Sequence, residues 1–170
     1  MTADQPLDVE TPIGTAGERA MLEAFLDDYR GIIQSKLDGL SIEDARRRLV
    51  PSSTTLIGLV KHAAAVERGW FQLRLAGRRP EEITGHPRGD EASWRVGPDE
   101  SIADVIEEHA AACATSRQIA AGFALEDAVE HPRMGVVSLR WIYVHMIEEL
   151  ARHAGHADIL REQIDGTTSD

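Results

Sequence analysis

Apolar residues recur every three or four positions along four stretches of the chain, and this spacing predicts four long amphipathic helices. The stretches cover residues 22–37, 56–73, 102–123 and about 137–163. A shorter helix is predicted to begin at Ser41 and to end before Pro51. No stretch shows the strict alternation that predicts a β-strand, and no internal repeat is visible. Helix packed on helix is therefore the natural way for this chain to bury its apolar faces.

Local signals suggest where the helices begin. Thr15 and Glu18 form a capping-box pattern before the first helix, and the segment from Ser101 to Asp104 is expected to open the third. Ser52 or Ser53 is the expected cap of the second helix. These signals, with the periodicity, place one folded domain over residues 15–166. A flexible N-terminal tail is expected over residues 1–14 and a C-terminal tail over 167–170.

The connections between the helices differ in length. Residues 77–100 are rich in Gly, Pro and charge, and a connection of this length in a compact domain is often functional. It is also long enough to cross over the bundle. A loop containing Pro132 and Gly135 is expected before the last helix. The predicted fold class is all-α, a four-helix bundle with a long crossover connection.

Composition and charge limit the classes of function. The chain has 170 residues, 42% of them hydrophobic, and a formal net charge of -11. Such a surface repels phosphate backbones, so nucleic acid is not an expected partner. No apolar run approaches the length that spans a bilayer, and the first residues lack the pattern of a signal peptide. Cys113 is the single cysteine, which excludes an internal disulfide, and a cytoplasmic protein is the simplest interpretation.

The last helix carries the most informative chemistry. His153 lies within its apolar stripe, and Glu149 lies one turn earlier at the edge of the stripe. Side chains four residues apart stack on one helix face, so these two heads can converge on one ion. A carboxylate directed into a core needs a compensating charge, and a cation supplies it. His62, beside the apolar stripe of the second helix, is the best third ligand, with His109 of the third helix as its rival.

Two imidazoles and one carboxylate with an open position are typical of a reactive zinc site, although Ni, Fe or Mn suit the same donors. Plainer interpretations stay open. Glu149 and His153 can form an ordinary hydrogen-bonded pair, and an inward histidine is often a core residue. His145 and His156 are either cavity-lining or surface groups. Cys113 fits a small core residue, the three tryptophans fit packing positions, and no catalytic residue is predicted beyond the metal site.

The residues resemble a known family. The segments at 18–27 and 56–71, together with Leu139–Glu149 running into Ala151–Asp158, look like the DinB-like superfamily. The similarity is closest to the actinobacterial branch that includes mycothiol-dependent S-transferases and maleylpyruvate isomerase. This resemblance implies a bundle with a crossover, often a homodimer, and a metal held by His62, Glu149 and His153. Many members have His at the position of Glu149. The carboxylate found here resembles the site of the maleylpyruvate isomerase type.

The resemblance also implies a function. The expected protein is an enzyme, a metal-dependent transferase that conjugates a low-molecular-weight thiol, with mycothiol preferred, to an electrophile in detoxification. The 77–100 loop is expected to help shape the electrophile pocket. One alternative is a thiol-dependent cis-trans isomerase of the maleylpyruvate type. Another is a non-catalytic stress protein that binds a metal or a small ligand. A homodimer is the expected assembly, since Val144 and Ile147 leave apolar surface on a second face of the last helix.

Overall fold

A computed structural model describes residues 12–168, which are mostly helical. The elements run in the order of a 3₁₀ turn at Pro12–Thr15, α1 at Glu18–Ser35, α2 at Ile42–Ala45, α3 at Leu56–Glu67, α4 at Ile102–Ala120, strands β1 at Ala128–His131 and β2 at Gly135–Ser138, and α5 at Leu139–Asp165. Most of the predicted N-terminal tail lies outside the described residues, as do the last two residues of the predicted C-terminal tail. The mostly helical prediction is confirmed.

The directions of the long helices follow from their cross-contacts. Glu23 of α1 accepts a hydrogen bond from Tyr143 of α5, and Lys36 pairs with Asp158 further along both helices, so α1 and α5 run parallel. His62 and Phe71 contact Glu149 and Tyr143 respectively, which makes α3 and α5 antiparallel.

Helices α3 and α4 lie side by side and run in the same direction. Lys61 pairs with Glu100 just before α4, whereas Phe71 shares a cavity with Ser116 and Ala120 near its end. The connecting residues 76–101 must therefore travel back along the molecule, a path that carries two short 3₁₀ turns, Pro80–Glu82 and Glu91–Trp94. That return path brings the loop against α3.

The second of the long predicted helices, which begins as α3, does not stay α-helical to its end. From Arg68 to Leu75 it widens to a π-helix, in which Ala76 donates its amide to the carbonyl of Phe71. Gly77, with φ of +64°, then ends the helix as predicted. Such wide turns are rare and are found frequently at functional sites. Here the π-helical segment carries Trp70 toward β1.

The expectation of no strands is wrong at one place. Residues predicted as a loop before α5 form an antiparallel hairpin in which Val129 pairs with Val137 and His131 with Gly135. Gly135 has φ of +74°, a backbone conformation that L side chains rarely adopt. Four-residue strands are too short to show a period of two, which explains why the sequence pattern did not reveal them.

Two of the predicted helix caps are also wrong. Helix α1 begins at Glu18 with Gly17 as its N-cap and no side-chain cap, because Thr15 belongs to the preceding 3₁₀ turn. The cap of α3 is Thr55, whose hydroxyl accepts from the Gly58 amide, and not Ser52 or Ser53. The predicted helix start at Ser101 is confirmed. Ser101 and Asp104 form a capping box there, in which the Ser101 hydroxyl accepts from the Asp104 amide and the Ser101 amide donates to the Asp104 carboxylate.

A buried ion pair lies within the mostly apolar core. Arg30 of α1 donates two hydrogen bonds to the carboxylate of Glu67 on α3, at 2.8 and 2.7 Å, and Glu67 is fully buried. The pair crosses the middle of a core whose largest fully buried members include Leu26, Ile33, Leu59, Phe71, Leu139, Ile142 and Met146. It ties α1 to α3 close to the first residue of the π-helical segment.

Candidate metal centre

Three predicted side chains meet between α3 and α5. His62 comes from the second turn of α3, and Glu149 and His153 lie one turn apart in α5. One nitrogen or oxygen atom from each of the three lies within 4.8 Å of the others. The two imidazoles are buried and the carboxylate is partly buried, so the heads face one another and not bulk water.

The distances match those of a small metal site. Glu149 Oε1 lies 3.3 Å from His62 Nε2 and 3.1 Å from His153 Nε2. Ligand bonds of 2.0–2.1 Å in tetrahedral geometry separate neighbouring donor atoms by about 3.4 Å. Both distances to Glu149 are therefore close to those between donors that share one ion such as Zn²⁺, and the three donor atoms all lie within 4.8 Å of one another.

Ser93, in the loop before α4, lies against His62. Its Oγ lies 2.7 Å from His62 Nδ1, and its own hydroxyl donates to the backbone carbonyl of Asp90. With its proton directed at that carbonyl, Ser93 can accept a hydrogen bond from Nδ1–H of His62. That tautomer leaves the lone pair of Nε2 for a metal ion, which is the arrangement that a metal-binding imidazole needs. His153 Nδ1 has no such partner among the described residues.

The electrostatics of the cluster call for a cation. Contact with His153 and next with His62 holds the pKa of the Glu149 carboxyl well below its usual range, so it is a carboxylate at neutral pH. A carboxylate oxygen facing the lone pair of His62 is repulsive unless a proton or a metal ion lies between them. Protonating both imidazoles would place two positive rings only 4.9 Å apart. One divalent ion compensates all three groups without that repulsion.

Trp94 packs directly on this cluster. Its ring stacks on His62 with centroids 4.1 Å apart and an angle of 12° between planes, and it meets His153 edge-on at 5.4 Å. The stack holds the His62 ring in place and removes one side of it from water. Sequence reasoning treated Trp94 as a packing residue and did not single out Ser93, since a loop without periodicity gives no signal of where its side chains point.

The rival ligand and the cysteine lie elsewhere. His109 is buried next to Cys113, with 3.4 Å between its Nε2 and the sulfur, and it is not part of the cluster. Burial lowers the pKa of His109 to about 4 and raises the pKa of the Cys113 thiol well above its usual range. Cys113 is therefore a neutral thiol at physiological pH, as expected for a small core residue.

The two remaining histidines of α5 flank the cluster. His156 is exposed, and its ring lies 5.5 Å from that of His153. His145 is half-buried and stacks on Trp141 at 5.0 Å, one turn before Glu149. Burial, its largest influence, lowers the pKa of His145. Neither supplies a donor to the three-residue group.

The fold and the site define a class of mostly helical proteins in which two imidazoles and one carboxylate come together in a group that could hold a metal ion. A family model described as mycothiol-S-transferase matches residues 21–166. The chain therefore belongs to the mycothiol S-transferase family, and the resemblance to the DinB-like superfamily is confirmed. No curated protein and no solved structure matches the chain significantly. Within residues 12–168, no helix is both long and apolar enough to cross a membrane.

Proposed function

We propose that this protein is a divalent-metal-dependent S-transferase that joins a low-molecular-weight thiol, with mycothiol as the expected co-substrate, to an electrophile. One observation carries the proposal: one donor atom each of His62, Glu149 and His153 lies within 4.8 Å of the others, and Ser93 is placed to accept a hydrogen bond from His62. Membership in the mycothiol S-transferase family supports the thiol-transfer role.

The chemistry follows from the donor set. A divalent ion held there supplies a Lewis acid that lowers the pKa of a coordinating thiol toward neutrality. The chain itself orients the ligands, through Ser93 and Trp94, and excludes water from one side of the site. In the reaction, the thiol sulfur forms a bond to an electrophilic carbon, the leaving group departs with the bonding electron pair, and the thiol proton passes to solvent.

Several finer features belong to the same proposal. We take the four long helices as a bundle with its crossover between α3 and α4, and Zn²⁺ as the preferred metal over Ni, Fe or Mn. A homodimer would cover Val144, which is 54% exposed, whereas Ile147 already packs against the core of its own chain. A cytoplasmic detoxification role fits the thiol co-substrate. Sedimentation of the Val144→Glu variant tests the dimer, which should dissociate.

Removing single ligands tests the proposal. His62→Ala, Glu149→Ala and His153→Ala should each reduce the metal content of the purified protein from about one per chain to near zero and abolish conjugation of mycothiol. Elemental analysis and a conjugation screen measure the two effects. His156→Ala removes an exposed imidazole from the same helix and should keep both metal and activity. Full activity in a metal-free ligand variant would refute the mechanism, and bound metal without turnover would favour a non-catalytic binding protein.

The proposed carboxylate ligand, Glu149, favours a second candidate function, that of a thiol-dependent isomerase. Because Glu149 stands where many members of the superfamily have histidine, the site resembles that of maleylpyruvate isomerase. Such an enzyme adds the thiol to a double bond, allows rotation, and eliminates the thiol again, so no thiol is consumed. Assaying one sample with maleylpyruvate and with a conjugation electrophile separates the two reactions.

A further inference from the structure

The cleft beside the candidate metal centre is lined by positive charge, although the protein as a whole is acidic. It lies between the π-helical segment, the loop at residues 87–90 and the tip of the hairpin, and its volume is about 380 Å³. That volume is in the range of small-molecule sites. Three arginines line it, namely Arg74, Arg88 and Arg133.

These arginines lack the partners that most cations of this chain have. Among residues 12–168, only four arginines make neither an ion pair nor a side-chain hydrogen bond, and three of them line this one cleft; the fourth is Arg95. The chain carries a net charge of -11, so carboxylates are abundant elsewhere on its surface. The cleft does contain Asp90, but that carboxylate is engaged by His86 and by the Ala92 amide. Glu130 lines the adjoining pocket, which shares Arg74.

An aromatic wall completes the cleft. Trp70 stacks on His131 with centroids 5.2 Å apart and 15° between planes, and both residues line the cavity. Arg74 and Arg133 lower the pKa of His131, although burial is the larger cause, so a positive potential reaches the wall itself. Planar groups pack well on such faces, and guanidinium groups bind carboxylates in a bidentate manner.

The cleft borders the metal centre. Gly89 lines it, and a Cβ at this position would lie 3.4 Å from His62 Cε1 and 3.2 Å from a methyl group of Val66. Glycine therefore lets the loop that lines the cleft approach the imidazole closely. On its other side, Trp70 contacts His145, one turn before Glu149.

We infer that this cleft binds the electrophile, and that the preferred electrophiles are planar molecules bearing an anionic group such as a carboxylate. This inference rests on the proposed function, because it assigns the second substrate of that same reaction. The anionic group lies among the three arginines, the planar body against Trp70, and the electrophilic carbon toward His62.

Binding without reaction tests the site. The probe is 3-nitrobenzoate, which has no leaving group, compared with the neutral 3-nitrobenzamide, and both are titrated by quenching of tryptophan fluorescence. The anion should bind at least about tenfold more tightly than the amide. A triple variant should remove that preference; it combines Arg74→Gln, Arg88→Gln and Arg133→Gln. Arg95→Gln, the matched loss of an unpaired arginine outside the cleft, should change the affinity less than about twofold. Trp70→Phe should remove most of the quenching. Equal affinity for anion and amide, or an unaffected triple variant, would overturn the inference.

Turnover gives the second measurement. With 4-chloro-3-nitrobenzoate and mycothiol, a C–S bond forms at the ring carbon, the C–Cl bond breaks, chloride leaves with the electron pair, and the thiol proton goes to solvent. The triple variant should raise KM for this electrophile about tenfold while the KM for the thiol and the metal content stay unchanged. A raised KM for the thiol alone would assign the cleft to the co-substrate and refute the inference. If the protein binds the anion in a charge-dependent way but does not conjugate it, the proposed function is refuted and the anion site is retained. If conjugation proceeds with the same KM in the triple variant, the anion site is refuted and the proposed function is retained.

Discussion

Replacing Ser93 with alanine tests the central feature of the candidate metal centre. Ser93 is 2% exposed, and its hydroxyl is the acceptor for Nδ1–H of His62 at 2.7 Å. In the metal-free Ser93→Ala variant the imidazole can move its proton to Nε2 and donate to Glu149. With metal bound, Nε2 must keep its lone pair, so Nδ1–H is obligatory and would be buried without a partner. The substitution therefore weakens the metal-bound state more than the metal-free state.

The magnitude follows from that difference. An unsatisfied buried donor costs about 1–3 kcal/mol, and loss of a hydrogen bond to a metal-binding histidine typically reduces metal affinity about 10–100-fold. Competition between Ser93→Ala and a chromophoric zinc chelator measures the dissociation constant directly. Ser116→Ala is the matched control, because Ser116 is also fully buried but has no hydrogen-bond partner for its hydroxyl among the described residues. Zinc affinity within twofold of the parent in Ser93→Ala would refute the tautomer argument.

Two further predictions concern stability and are measured by urea unfolding in the presence of EDTA. Glu67→Ala should lower the free energy of unfolding by about 3 kcal/mol, because the buried Arg30 loses its bidentate partner and keeps only the more exposed Asp27. Arg30→Met/Glu67→Leu should recover most of that loss, and a loss below about 1 kcal/mol would contradict this. His109 has a folded-state pKa of about 4, so between pH 6.5 and 4 the unfolded chain binds more protons and stability falls as the pH falls. That fall should reach about 2 kcal/mol between pH 7 and pH 5 at His109 alone, and the His109→Gln variant should show a correspondingly shallower slope. Parallel pH profiles for the two proteins would show that burial does not suppress this protonation.

The outcome at the helix termini shows what local patterns can predict. Ser101 and Asp104 form a capping box at the predicted start of α4, whereas the capping box predicted at Thr15 and Glu18 does not cap α1. Both pairs have the spacing that the motif requires. The difference lies in the path of the chain before the helix, since Thr15 already belongs to a 3₁₀ turn. A motif of four residues cannot specify that path.

The sequence by itself determined that the chain is mostly helical and that Glu149 and His153 project from one face of α5, since helical periodicity and an i, i+4 spacing are local geometry. It favoured His62 as the third ligand but kept His109 as a rival, because both lie on or beside the apolar faces of their helices. Only the tertiary structure decided between them: α3 meets α5 at His62, whereas His109 packs beside Cys113 in the core. The placement of Ser93, and of the unpaired arginines around the cleft, was likewise decided by the return path of the 76–101 connection and by the hairpin. These contacts join residues far apart in sequence, and no local pattern encodes where such segments meet.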